Sequence, residues 1–218
     1  MPIVLIYGVC GEGATTRASW AGNGETWADW RPEGAGTLSL HKVIIEDMAT
    51  AMRNDQQNSN ADERKAVETF KFLMAITLAH EMVHFFIGFL AGSTIPCTPP
   101  SITGARLRHN HTDDSGNEIG ESGYAWEKCA FGGKVVAIED VNHPLGGRQA
   151  GVLVLKKGND TGRLIRHDWE QDSIEKKAIL PRPTIDFKRL TRQNLASRTP
   201  MNVVRKMALD AGLRRRGA

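Results

Sequence analysis

Positions 80 to 84 read His80-Glu81-Met82-Val83-His84, two imidazoles four residues apart with a carboxylate beside the first. Four residues of α-helix turn through about 400°, so the two rings lie roughly 40° apart and one turn above the other, placed to hold a single cation. Glu81 falls about 60° beyond His84 on the same wheel, where it can reach a water activated by that cation without being a ligand. With seven His and 13 Glu in 218 residues, accidental matches to the pattern number about 0.013, so coincidence is a poor explanation. The stripe that carries the histidines continues through Leu73, Ile76, Ile87, Gly88 and Ala91. It therefore faces a core, where two imidazoles and a carboxylate without partners would be costly. Surface histidines with a salt-bridged Glu81 are the competing reading, which the apolar stripe disfavours.

The elements that must position these groups can be read from the surrounding pattern. Residues 70 to 90 form the one long apolar run, about the ~20 residues a membrane span needs. Lys71, His80, Glu81 and His84 interrupt it, so a buried helix of a soluble protein is expected and no membrane partner. Asp62 offers a cap, giving a helix over 62 to 91 with room for a break before about residue 69. Upstream, residues 3 to 7 read as a buried strand, 8 to 36 as an irregular Gly- and Trp-rich segment, 37 to 45 as a second strand, 46 to 53 as a short helix and 54 to 60 as an exposed loop. Downstream, residues 92 to 100 stop the long helix and polar, turn-rich sequence continues to 119. Ser122 is the expected N-cap of a helix over 123 to 131, closed by Gly132-Gly133. Residues 134 to 139 read as a strand, and 151 to 155 pairs with 163 to 167 as a hairpin with a longer loop. The remainder is basic, Pro-punctuated and partly helical. The expectation is an α+β fold, a small twisted sheet packed on the buried motif helix plus a second, glutamate-bearing helix.

A chain of 218 residues and 24.0 kDa fits a single domain over 1 to 218 with a basic C-terminal extension at about 181 to 218. With 40% apolar and 24% charged residues, it is neither a disordered polyelectrolyte nor a low-complexity polymer. A net charge of +3 does not call for a nucleic-acid partner, and the cluster Arg205, Lys206, Arg214, Arg215 and Arg216 reads as a solvated tail. Three widely spaced cysteines, Cys10, Cys97 and Cys129, support neither a disulfide framework nor a cysteine zinc knuckle. The first residues lack the basic region of a signal peptide, so a cytoplasmic, reducing location is expected. Gly11-Glu12-Gly13-Ala14-Thr15-Thr16 has a phosphate-loop flavour but no GK[ST], which excludes it as a nucleotide site. Trp20, Trp27 and Trp30 read as plugs of a loop-rich core.

On its HExxH helix the chain resembles the zincin metallopeptidases. The resemblance implies a zincin-like fold, a Zn2+ cofactor held by His80 and His84, and Glu81 as the general base on a water that the metal activates. It does not extend to the metzincins, whose HExxHxxGxxH would need Gly at position 87 and His at position 90, where Ile87 and Leu90 stand. Residues 75 to 140 also resemble fungal zincin-like proteins that pair HExxH with GESG or GDSG, a following Glu and FGG.

Catalytic zinc takes three protein ligands and keeps one position open, and the common complement to HExxH is a Glu from a later helix. The segment around the second helix offers Glu121 and Glu127. Six residues apart on one helix they would lie about 120° apart, too far round to share one ion from one face. Glu127, inside the helix with Ala130 and Phe131 following, looks like the glutamate of the gluzincins and ranks first. Glu121, before the cap, reads as an orienting or helix-dipole partner, and ranks second as ligand. His109, His111, Asp113, Asp114 and His143 are reserves. Tyr124 is the candidate donor to a tetrahedral oxyanion. The expected function is a zinc-dependent hydrolase acting on a peptide or other amide-containing substrate. The alternatives are a metalloenzyme of small-molecule biosynthesis on the same scaffold, or a metal-binding module without turnover.

Overall fold

The computed structural model describes residues 3–6, 13–17, 36–58, 60–91, 98, 102, 111–112, 118–140, 149–156, 162–168, 170, 185–190 and 201. The elements in chain order are β1 (Ile3–Ile6), β2 (Gly13–Arg17), β3 (Gly36–His41), α1 (Lys42–Asn58), α2 (Ala61–Ala91), β4 (His111–Thr112), β5 (Glu118–Ile119), α3 (Ser122–Phe131), β6 (Lys134–Ile138), β7 (Val152–Lys156), β8 (Gly162–Ile165) and β9 (Ile185–Leu190). Helices and small, mostly antiparallel sheets make the fold α+β. The chain divides into two compact units, Met1–Lys42 with Ile76–Gly133, and Val43–Ala75 with Lys134–Ala218.

In the first unit, β3 lies between β1, to which it is parallel, and β2, to which it is antiparallel. Leu38, Ser39, Leu40 and His41 are all buried, so both faces of this central strand are covered. The second half of α2 buries Ile76 and, one turn after another along a single face, Thr77, Glu81 and Phe85. The short ladder β4–β5 pairs His111 with Ile119 and delivers the chain to α3. There Gly120 donates its N–H to the Thr98 carbonyl at 2.8 Å and Glu121 to that of Ile102 at 2.9 Å, which fixes the approach to the helix.

In the second unit, α1 buries Val43, Ile44, Asp47 and Ala51 at helical spacing, and the first half of α2 buries Val67, Phe70, Phe72, Leu73 and Met74. The sheet β6–β7–β8–β9 is antiparallel throughout. Leu153, Val154 and Leu155 are consecutive buried residues of β7, as a strand covered on both faces requires. A polar tie adds to this packing. His167 contacts Glu68 through Nε2 at 2.8 Å and Glu170 through Nδ1 at 3.3 Å, while Thr69 donates its hydroxyl to Glu170 at 3.0 Å. The hydrogen bond to Glu170 outweighs partial burial and raises the His167 pKa above 6.5. A raised folded-state pKa means the tie contributes fully below 6.5 and is lost as pH rises through the raised value. His167→Gln should therefore lower the urea midpoint at pH 6 by more than at pH 9. An equal loss at both values would show that the imidazolium is not the stabilising species.

Several expected elements take different bounds. The strand expected over 37 to 45 ends at His41 and helix follows at once, because Val43, Ile44, Asp47 and Ala51 are spaced for a helix rather than a strand. The loop expected over 54 to 60 is largely the last turns of α1, whose Gln56, Gln57 and Asn58 are exposed; polar composition marks exposure, not irregular backbone. The helix over 61 to 91 runs without a break. Its cap is Asn60, whose side-chain oxygen accepts the Glu63 N–H at 2.8 Å, rather than Asp62, which lies in the first turn with Glu63 where acidic groups favour the helix dipole. The 8 to 36 segment, expected to be irregular, contains β2, which includes part of the discounted phosphate-loop lookalike. The basic segment beyond 181 contributes β9 to the sheet. The 27 residues Ala61–Ile87 are long and apolar enough to cross a membrane by length and composition alone, as core helices also are.

Candidate metal centre

His80 and His84 project from the continuous α2, and the groups facing them come from the cap, first turn and middle of α3. The two rings lie with centroids 5.2 Å apart, tilted by 58°. Both turn their Nε2 atoms to one carboxylate oxygen, Oε1 of Glu121, at 3.3 Å for His80 and 2.8 Å for His84. Ligand atoms of these three residues all fall within 4.8 Å of one another. Donors around a tetrahedral ion with bonds of about 2.0–2.1 Å stand roughly 3.3 Å apart, which the His80–Glu121 separation matches, while the 2.8 Å between His84 and Glu121 is a hydrogen-bond distance that an ion would have to widen.

The outer ring nitrogens are also engaged. His80 Nδ1 lies 2.7 Å from Glu127 Oε1, and His84 Nδ1 lies 3.0 Å from the Ser122 hydroxyl. A metal-binding imidazole needs such a partner to keep the proton on the outer nitrogen and the lone pair on the inner one. Glu127 is 3% exposed, so its carboxylate faces this ring with little competition from water.

Glu121 reaches its place because it is the N-cap of α3. Its φ of −127° and ψ of 88° leave the helical spiral, and its Oε1 accepts the N–H of Gly123 at 3.0 Å and of Tyr124 at 3.4 Å. The positive end of the helix and these two donors hold the carboxylate as an anion. Ser122, the expected cap, is the first helical residue instead. The far end closes as expected, with Gly132 in the left-handed region at φ 79° and its N–H donating to the Lys128 carbonyl at 2.9 Å; a glycine carries that conformation without a Cβ penalty.

Electrostatics follow from the geometry. Burial alone would lower the His80 pKa, but the Glu121 and Glu127 carboxylates outweigh it and raise the value to about 9. Burial likewise pushes the Glu121 carboxyl up, and the hydrogen bonds from His80 and His84 outweigh that and hold it well below the usual carboxylate range. His80 is thus a protonated imidazole paired with the Glu121 and Glu127 carboxylates.

Gly123 sets the distance between α3 and His80. A Cβ at this position would stand 2.3 Å from both Cδ2 and Nε2 of the His80 ring. Alanine is the better helix former by ~1 kcal/mol, so glycine here serves the ring rather than the helix. Gly123→Ala is expected to leave helix content unchanged and to weaken any affinity of this cluster for zinc by about 100-fold or more, since the His80 ring must move. Chelator competition measures it, and unchanged affinity would show that His80 is not held against α3.

The expected site residues are therefore placed as follows. His80, His84 and Glu121 come together. Glu127, ranked ahead of Glu121 by the sequence, sits instead on the outer nitrogen of His80. Glu81 is buried at 6% exposure on the same helix. Tyr124 packs its ring edge-on against His80, centroids 4.8 Å apart at 74°. His111 lies in β4. His109, Asp113, Asp114, His143, Cys10, Cys97, the three clustered tryptophans and the arginine-rich tail lie outside the described residues. Sequence reasoning missed Ser122 as a partner of His84, and Thr98, whose hydroxyl lies 3.2 Å from that of Ser122. Adjacency to Glu121 was a usable signal for Ser122; Thr98, 24 residues away, carried none.

No protein-family model, no curated protein and no solved structure matches this chain.

Proposed function

We propose that the chain is a zinc-dependent hydrolase of the zincin type, acting on a peptide or other amide bond. The observation that carries this reading is the convergence of two imidazole nitrogens on one carboxylate oxygen, with each imidazole held from behind by a second polar group. Two His and one Glu are a recognised donor set of catalytic zinc. His80, His84 and Glu121 would hold the ion, and Glu127 would keep the proton of His80 on Nδ1. Bound zinc supplies Lewis acidity, polarising an amide carbonyl and bringing the pKa of water to about 7. Glu81, between the two histidines in sequence, takes the proton of the attacking water and passes it to the departing amine nitrogen. Tyr124, edge-on to His80, is the candidate donor to the oxyanion. The HExxH helix and the small sheets support the zincin-like architecture as part of the same proposal.

The test is metal analysis of the purified chain followed by turnover of a mixed peptide library. About one zinc per chain, lost together with hydrolysis in His80→Ala and in His84→Ala, is the expected result. Zinc in full amount with no cleavage of any peptide or amide would favour the module without turnover or a different reaction at the same centre.

A further inference from the structure

The two histidines of the centre are held from behind by chemically different groups. His80 faces a carboxylate, which only accepts hydrogen bonds and therefore always keeps the proton on Nδ1. His84 faces the hydroxyl of Ser122 at 3.0 Å, which can either accept from Nδ1–H or donate to bare Nδ1. Behind Ser122 stands a second hydroxyl, Thr98, at 3.2 Å, and either of the two oxygens can be the donor. Ser122 and Thr98 are 1% and 2% exposed, so a hydroxyl deprived of its partner has no ready substitute in solvent.

We infer that Ser122 and Thr98 are positioning residues that form a reversible hydroxyl relay, allowing His84 to change tautomer when zinc binds. The inference rests on the proposed zinc centre. Without a cation, His84 Nε2–H donates to Glu121, 2.8 Å away. Nδ1 then accepts from the Ser122 hydroxyl, and Ser122 accepts from Thr98. With zinc on Nε2 the proton stands on Nδ1 and donates to Ser122, and Ser122 donates to Thr98. The proton on Nε2 leaves to solvent as zinc takes its place and solvent returns one to Nδ1, so the imidazole stays neutral; the bond to Glu121 gives way to zinc, and the two bonds His84–Ser122 and Ser122–Thr98 are kept with their direction reversed as each hydroxyl rotates with its own proton. The zinc-bound direction ends on Thr98 Oγ1 as acceptor. Without that oxygen the Ser122 hydroxyl is stranded in the zinc-bound form, whereas in the zinc-free form it still donates to Nδ1.

Zinc affinity of the full chain, measured by competition with a chromophoric chelator, tests this without reference to activity. Thr98→Val, close to isosteric, is expected to weaken binding about tenfold, and Thr98→Ser to restore it to within about twofold. If Thr98→Val does not fold, Thr98→Ala carries the same expectation. In a double-mutant cycle the loss from Thr98→Val is expected to vanish when Ser122 is already Ala, because the relay is then cut. A merely structural Thr98 would give the same loss in both backgrounds, and that result overturns the relay. Wild-type zinc binding with Thr98→Val unchanged also overturns it and leaves the zinc centre standing. Failure of the wild type to bind zinc overturns the centre and the relay together.

Discussion

Glu121→Gln is expected to weaken zinc binding by about 1,000-fold or more, while Glu127→Gln weakens it by only about tenfold. The amide of Gln at position 121 still offers an oxygen to the N–H groups of Gly123 and Tyr124 that now cap α3 on Glu121 Oε1. The helix therefore stays capped, and what is lost is the anion that the proposed centre offers to zinc. At position 127 the Gln carbonyl can still accept from His80 Nδ1–H, whose present partner is 2.7 Å away, so the imidazole keeps its orientation and loses only the charge behind it. Isothermal titration or chelator competition on both variants, with circular dichroism to confirm the fold, measures the contrast. The reverse order of effects would assign the ligand role to Glu127 and show that the cluster rearranges when a cation enters.

The second large effect belongs to Glu81. Glu81→Gln is expected to keep about one zinc per chain and to reduce turnover by roughly 100- to 10,000-fold, the range supplied by a general base. Separation of the two readouts is the point of the substitution. Glu81 is not among the three residues whose ligand atoms cluster, so removing its charge leaves the cage intact, while an amide cannot take the proton of the attacking water. Hydrolysis that survives in this variant would exclude Glu81 as base, and loss of zinc would make it a ligand.

Much of this arrangement is legible in the sequence because helices are periodic. The spacing of His80 and His84 gives one turn, and the apolar run around them gives a helix, found over Ala61–Ala91. Gly132 marks the end of α3 through a conformation that glycine favours. The placement of the two glutamates was not legible for a specific reason. Helical angles compare residues on one spiral, whereas Glu121 stands at the cap with its side chain folded back on the backbone N–H groups. A cap position opens directions that a helical wheel does not contain, and with Glu121 and Glu127 on opposite nitrogens of His80 both carboxylates serve one ring. Thr98 was invisible for another reason. It meets Ser122 across 24 residues, and no local pattern encodes a tertiary contact between two hydroxyls. Pairings such as β8 with β9, whose strands Gly162–Ile165 and Ile185–Leu190 are far apart in sequence, escaped the same way.

Anomalous diffraction at the zinc edge from crystals of the zinc-loaded chain would locate the ion and its ligands. One strong peak is expected about 2.0–2.1 Å from Nε2 of both His80 and His84, with the Glu121 carboxylate as the third protein ligand and Glu127 still on Nδ1 of His80. A peak ligated by Glu127 in place of Glu121, or no peak between the two imidazoles at saturating zinc, would contradict the proposed centre.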